Sequence, residues 1–563
     1  MSPRAPIAVL VVDDNPEHRK DYAEFVESWG YAPVVAQGDG QQLIADAEQL
    51  AARARCPIAI VDMRLIEDKD PNDKSGLELI RRLRYTRSIV LTSFGTTRTT
   101  VQALQEYGAA DFVDKAEDPD DLRLALERLA TELRRTGNGP QILWMRGLSS
   151  ATVLGQMFPG RADIPPDEPE TLVRQLFRER EWVRLTLITA NAGEPSSETL
   201  LPEDVSTALR RVSRVFVAEI AGEQALQVVK LARTDKIERE AANYAAYVAA
   251  GLAGTYRPEM TGTALFYDLG AIAYRLVGFE HLDEGKARIF TRYYRRTSDV
   301  NTIVEPLRHF FGFSAWGHWY RSTDVRSLDG TLVEAYDRSW RGALTSRSRA
   351  WASEAPTRRF GAIPVELPNP GRWFVDNRQR CESLRNLRQV ITHGDLHGDN
   401  LFVDGRYAWA IDFERTGYGP ILRDVVELVQ DLMARIAEFH AAELPLVYQL
   451  AVAICGPRGP DEALRPTRAI LGHPEARKLL EVVQFLQTKA FQRAQYDDRR
   501  EYLWGLLCNH LFVSTKLPVE GPRWTRAMLY AAVICERLEH WAEPEWPPAS
   551  WPQVEWEAPL LSL

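Results

Sequence analysis

The sequence predicts an α/β chain: a doubly wound parallel sheet first, then a larger α+β body that becomes mostly helical. Three observations predict this. Residues 6–135 alternate short apolar runs with amphipathic stretches through five successive units. Residues 181–279 hold β-rich strings around one amphipathic helix, and 280–540 read as helical except for one strand–loop–strand motif at 390–413. The 563 residues exceed a single hydrophobic core, at about 150 residues per domain.

In the first unit the strands are expected at Ile7–Val12, Ala32–Ala36, Ile58–Asp62, Ser88–Ser93 and Asp111–Val113. Helix-period segments separate them, as in Gly76–Leu83, where Leu77, Leu79, Ile80 and Leu83 share a face. Such an alternation gives parallel strands whose carboxyl ends form a crevice. Thr136-Gly-Asn-Gly-Pro140 breaks the last helix, and residues 136–180, rich in Pro and Asp over Pro159–Glu170, read as a linker or connector. Further strands are expected at Glu181–Ala190, Arg214–Ala221, Ala225–Leu231, Thr263–Tyr267 and Ala271–Val277. In the tail, residues 541–563, Trp541, Trp546, Trp551 and Trp556 recur every five residues, a period of neither a helix nor a strand face. It reads as an extended tail packed along its own domain, with a partner-docking peptide as the alternative.

Composition narrows the function classes. With 45% hydrophobic and 26% charged residues the chain has the balance of a soluble globular protein, which excludes collagen, a coiled-coil rod and a disordered polymer. The net charge is −9, and neither the part up to residue 135 nor the remainder carries a basic excess, so direct nucleic-acid binding is not expected. Cys56, Cys381, Cys455, Cys508 and Cys535 form no CxxC pair and read as reduced core residues. No run approaches the ~20 apolar residues of a membrane span, and Ile7–Val12 is too short for a signal peptide. The expected compartment is the cytoplasm.

Asp13 and Asp14 follow the first strand directly. Asp62 ends the third, Thr92 and Ser93 end the fourth, and Lys115 follows the fifth. Three carboxylates converging on one sheet edge call for a divalent cation such as Mg²⁺. A phosphoryl donor meeting Asp62 would give an aspartyl phosphate, with Lys115 pairing its oxygens and the Thr92 hydroxyl donating to one. Over residues 6–135 this combination resembles the receiver domain of two-component response regulators. The resemblance implies that Asp62 is the phosphoacceptor, that Asp13 and Asp14 join it and the Arg64 carbonyl around the metal, and that Thr92, Phe112 and Lys115 form the switch. Two departures stand out: an insert around Ile66–Asp73, and Ala116 after Lys115 where the family has proline.

A second phosphate chemistry lies in Ile391-Thr-His393-Gly-Asp395-Leu-His397-Gly-Asp399-Asn400, an HxDxxxxN string, with Asp412 at a strand end twelve residues beyond. One carboxylate can take the proton of a hydroxyl nucleophile, while an amide oxygen and a second carboxylate hold a metal that bridges nucleotide phosphates. The segment resembles the aminoglycoside phosphotransferase and choline kinase group, a branch of the protein-kinase-like fold, and within it the ternary-complex-associated domains. The resemblance implies Asp395 as catalytic base, Asn400 and Asp412 as Mg²⁺ ligands, His393 as loop organiser and Asp424 as structural support. Upstream it makes Lys230 the lysine that meets the ATP phosphates, with Glu240 as its partner and Glu238 as runner-up. Glu240 is preferred because Ile237, Ala241 and Tyr244 place it near the core side of its helix. No glycine-rich loop precedes Lys230. Leu200–Val215 reads as a helix or long loop in which Arg210 and Arg211 form a solvated face, with contact to phosphates as point charges the alternative. The Arg and aromatic mixtures at Phe290–Arg296 and Phe310–Tyr320 read as helical core with snorkelling arginines, not as a nucleic-acid surface. His281, His309 and His318 lack the spacing of a metal site.

The resemblances together imply a CheY-like doubly wound receiver (1–135), a connector (136–180), a bilobal kinase-like α+β body with N-lobe 181–279 and mostly helical C-lobe 280–540, and the tail. The expected function is a response regulator phosphorylated on Asp62 by a histidine kinase or phosphorelay protein. It would control an ATP- and Mg²⁺-dependent phosphotransferase acting on a small molecule or protein, with a homodimer through the receiver as one arrangement. The alternative is a non-catalytic signalling scaffold that binds nucleotide or a partner. A DNA-binding response regulator fits poorly, since no basic output module follows the receiver.

Overall fold

The computed structural model describes residues 6–187, 213–249, 257–276, 288–312, Trp319 and 324–560, apart from positions 68, 71, 94, 95, 117, 138, 146, 162, 163, 224, 226, 460, 461, 495–497, 544, 549, 550 and 552–554. Most of Leu200–Val215, including Arg210 and Arg211, and also His281 and His318 lie outside the described residues.

The first unit is a parallel sheet of β1 (Ala8–Val12), β2 (Ala32–Val35), β3 (Ile58–Asp62), β4 (Arg87–Thr92) and β5 (Asp111–Asp114), in the order β2-β1-β3-β4-β5. Helices α1 (Pro16–Ser28), α2 (Gly40–Ala54), α3 (Ser75–Arg82), α4 (Thr97–Gln105) and α5 (Pro119–Gly137) connect and cover it. The central strands β1 and β3 are nearly continuous apolar runs because both faces are buried. Leu10, Val12, Ala59 and Val61 pack on Leu43, Ala47 and Leu77, while Val9, Val11, Ile58 and Ile60 pack on Leu126 and Leu129. Strand order reverses at β1, so the crevice opens at the carboxyl ends of β1 and β3.

The second sheet has six strands in the order β10-β11-β9-β8-β7-β6. They are β6 (Gln141–Trp144), β7 (Trp182–Leu187), β8 (Ser213–Ile220), β9 (Gln227–Arg233), β10 (Pro258–Leu265) and β11 (Leu269–Leu276). The expected connector at 136–180 is corrected here. It supplies β6, paired in parallel with β7, and the helices α6 (Ser150–Met157) and α7 (Glu168–Leu176) that cross over between them. A parallel pair requires such a crossover. Val153, Leu154, Leu172 and Val173 bury one face of the sheet against Val183, Leu185, Phe216 and Ala271. On the other side α8 (Thr234–Asn243) packs through Ile237.

The remaining body carries β12 (Arg388–Thr392), β13 (Leu401–Val403), β14 (Ala408–Ala410) and β15 (Gly417–Pro420), with β13 antiparallel to β14 and β12 antiparallel to β15. Behind them stand α9 (Arg423–Asp431), α10 (Leu444–Cys455), α11 (Pro474–Arg493), α12 (Arg500–Ser514) and α13 (Pro522–Glu539). Helix α12 is buried on nearly every side, so it is the centre of the bundle, not a surface helix. Phe290 and Tyr294 are fully buried, as a core reading of that segment expects. The tail lies against this body: Trp551 is buried, Trp546 Nε1 donates to Val452 O (2.9 Å), and Trp556 bridges to Thr467.

The two units meet at the start of β3 and β4. Arg55 pairs with Glu168 and with Asp268 (2.8 Å), and Thr86 and Tyr267 share a hydroxyl contact (2.6 Å). Tyr85 Oη (3.1 Å) and Arg84 Nη1 (3.2 Å) both donate to Glu238 on α8. This junction is at the opposite strand ends from Asp62.

Candidate functional site

In the first unit, β1 delivers Asp13 and Asp14, β3 delivers Asp62, β4 delivers Thr92, and the loop after β5 delivers Lys115. One carboxylate oxygen from each of Asp13, Asp14 and Asp62 lies within 4.8 Å of the others. Lys115 Nζ sits between them, 2.7 Å from Asp13 and 3.3 Å from Asp62. Burial, opposed by Lys115 and reinforced by Asp13 and Asp14, pushes Asp62 up to about 7. Carboxylates short of positive charge, arranged as oxygen donors, fit a hard dication. Thr92 is fully buried at the strand end and Phe112 is half-buried on β5. Gly76 opens α3 against this site, and a Cβ there would come within 1.8 Å of the Asp62 carbonyl oxygen. The insert is tied by Asp73, which accepts from the amides of Ile66 (3.0 Å), Glu67 (2.8 Å) and Ser75 (2.8 Å).

The second site forms where β9, α8 and the β12–β14 loop meet. Lys230 is the single charged side chain in the buried run of β9. Its Nζ lies 2.7 Å from Glu240 and 2.6 Å from Asp412. Burial would lower the ammonium, but Asp412 and Glu240 hold it above its ordinary value. Glu240 also accepts from Tyr274 Oη (2.8 Å) and from the Phe413 amide (3.3 Å), whereas Glu238 turns to the first unit. Asn243 donates to the carbonyls of Phe413 (3.1 Å) and Glu414 (2.9 Å), so α8 grips the segment carrying Asp412.

Asp395 sits on a loop made rigid from behind. Gly394 holds φ +77° with the Arg415 carbonyl 2.4 Å from where a Cβ would stand, so only glycine fits. His393 Nε2 contacts Ile411 O (2.8 Å) and Asn400 Nδ2 donates to Asp395 O (2.9 Å). No hydrogen bond among the described residues engages Asn400 Oδ1. Asp424 accepts from the amides of His393 (2.8 Å) and Gly394 (3.0 Å), Glu427 from Leu396 (2.8 Å), and Asp431 from Gly398 (2.8 Å). Sequence reasoning reached Asp424 but not Glu427 and Asp431 as loop holders. Their signal was the 424, 427, 431 spacing on one helix face. It also missed Arg415, whose Nη1 donates to Asp395 Oδ1 (3.1 Å). Burial would raise Asp395, yet Arg415 and the two histidines hold its carboxyl well below the usual carboxylate range.

A receiver pocket on one sheet and a kinase-like cleft on another define the class: a receiver fused to a phosphotransferase-like body. Residues 9–127 match the response regulator receiver domain, and residues 312–451 match the phosphotransferase enzyme family. Three relatives align over 21–23% of the chain. Acid tolerance regulatory protein ActR of Rhizobium meliloti is 35% identical over 125 residues, 21% of this chain and 57% of that protein. Alginate biosynthesis transcriptional regulatory protein AlgB of Pseudomonas aeruginosa is 30% identical over 148 residues, 23% of this chain and 30% of that protein. Photosynthetic apparatus regulatory protein RegA of Rhodovulum sulfidophilum is 30% identical over 123 residues, 21% of this chain and 61% of that protein. The chain thus spans between 30% and 61% of the length of these relatives. No helix among the described residues is long and apolar enough to cross a membrane.

Proposed function

We propose that a histidine kinase or phosphorelay protein phosphorylates Asp62, and that this sets the output of an ATP-dependent phosphotransferase in the same chain. One Mg²⁺ would be held by Asp13, Asp14 and Asp62, and another by Asn400 and Asp412, where it would supply positive charge to offset the nucleotide phosphates. Lys230, held by Glu240, would meet those phosphates, and Asp395 would take the proton of the acceptor hydroxyl. The protein would act in the cytoplasm, and Val101, Leu104 and Leu124, exposed on α4 and α5, offer a face for a second receiver.

The observation that carries the coupling is α8. One helix gives Glu238 to Tyr85 and Arg84 of the receiver, Glu240 to Lys230, and Asn243 to the Asp412 segment. A receiver state that displaced Tyr85 would therefore act on the lysine pair directly. The phosphoacceptor is tested with Mg²⁺-dependent labelling by acetyl phosphate, which is expected to vanish in Asp62→Ala. Turnover is tested by nucleotide binding and ATPase of wild type and Asp395→Ala, each with and without acetyl phosphate.

The second reading is a nucleotide-binding scaffold without turnover, favoured by the Arg415 guanidinium that caps Asp395. Binding of Mg·ATP with an ATPase rate that Asp395→Ala leaves unchanged selects it.

A further inference from the structure

Beside Asp395 the cleft opens into a cavity of about 270 Å³. Its acids are already engaged within the protein. Asp395 holds Arg415 (3.1 Å), Asp399 holds Arg435 (2.9 Å) and Thr291 (2.6 Å), Asp431 holds Arg435 (2.6 Å) and the Gly398 amide (2.8 Å), and Glu427 holds Arg423 (2.8 Å). Two lining cations are different. Among the described residues the side chains of Lys516 and Arg523 have neither an ion pair nor a hydrogen bond, and Lys516 Nζ only stands over the Phe512 ring at 3.7 Å. They come from separate elements, the turn after α12 and the first turn of α13, yet face one cavity.

We propose that this cavity binds the phosphoacceptor and that the acceptor is a small hydroxylated anion, its carboxylate or phosphate group taken by Lys516 and Arg523. Arg415 and Lys236 already press like charge on Lys516, and an anion held by Lys516 and Arg523 offsets that repulsion. The proposal rests on the phosphotransferase reading and gives it a substrate class. The acceptor's hydroxyl oxygen attacks the γ-phosphorus of ATP, the bond from that phosphorus to the β–γ bridging oxygen breaks, ADP leaves, and Asp395 receives the hydroxyl proton. Because the lining acids are engaged within the protein, the same two cations disfavour a polyamine or aminoglycoside acceptor. Desolvation, and next Arg415, lower Lys516 to about 8 against the opposing charge of Asp395.

The test is calorimetric titration of the full chain with glycerate, glycerol 3-phosphate and spermidine. One of the two anions is expected to bind, and which one tells carboxylate from phosphate. Lys516→Glu with Arg523→Glu is expected to weaken it at least about tenfold, the loss of charge-assisted hydrogen bonds, with Mg·ATP affinity retained; Lys516→Gln, a milder change, weakens it in the same direction. Lys230→Met loses Mg·ATP but keeps the anion. Spermidine binding tighter than both anions, or anion affinity indifferent to the Lys516 and Arg523 changes, overturns the proposal. Anion binding through Lys516 in a chain that never binds Mg·ATP leaves the pocket standing and removes the phosphotransferase reading. Mg·ATP binding with no anion binding does the reverse.

Discussion

Replacing Lys230 by Met isolates the electrostatics of the cleft. The ammonium is buried between Glu240, fully buried, and Asp412, 20% exposed. Asp412 can turn toward water once the lysine is gone. Glu240 cannot, and its remaining donors are Tyr274 Oη (2.8 Å) and the Phe413 amide (3.3 Å). An uncompensated buried carboxylate of this kind costs about 3–5 kcal/mol. Adding Glu240→Gln removes the orphan charge, and the amide oxygen can still accept from Tyr274 and Phe413, so the double variant is expected to recover about half of the loss or more. The pH dependence has a definite sign. Burial already raises Glu240 above its ordinary value, and without Lys230 it rises further. A carboxyl with a raised folded pKa binds more protons folded than unfolded, so the stability of Lys230→Met falls as pH rises from about 4.5 through the folded pKa of Glu240. Urea unfolding followed by tryptophan fluorescence reads the relevant part, because all of the 15 tryptophans except Trp29 lie beyond the receiver. A single variant losing under about 1 kcal/mol, or a double variant no more stable than the single, refutes the reasoning.

Three further outcomes are expected. Gly76→Ala drives a Cβ into the Asp62 carbonyl and lowers both receiver stability and the rate of acetyl phosphate labelling, measured side by side. Glu238→Ala changes stability by under about 1 kcal/mol, since its pairs are half-exposed; it abolishes the effect of acetyl phosphate on amide exchange in α8. Trp551→Ala, which strips the buried contact with Tyr448 (ring centroids 5.6 Å apart), costs about 3 kcal/mol in the same urea experiment.

The acids of both sites were legible because each stands where an apolar strand ends, and a charged residue directly after a buried run has few other readings. Lys230 was legible for the complementary reason: one lysine inside a β-rich string has to find a partner, and helical spacing chose Glu240 over Glu238. The strand β6 was not legible. Four residues at a sheet edge carry too little pattern, and the Pro- and Asp-rich stretch after it masks the apolar face of α7. Arg415 was hidden for another reason. Its contact with Asp395 is set by the return of the chain through β13 and β14, and no local period encodes such a meeting. Glu427 and Asp431 had helical spacing, but acids at that spacing read equally as a solvated face.

The strand β6 also decides where this chain can be cut. A fragment starting at residue 181 loses β6, α6 and α7 together. It would expose one edge of β7 as a row of free amides and carbonyls, and uncover Val183, Leu185 and Phe216. Such an edge pairs with other copies, so that fragment is expected to aggregate, while one beginning just before Gln141 stays monomeric. The receiver and the phosphotransferase-like body are separable only at the short stretch ahead of β6. The strand next in the chain after the last receiver helix is therefore the first structural piece of the output, and exchanging receivers between chains of this design has to respect that seam.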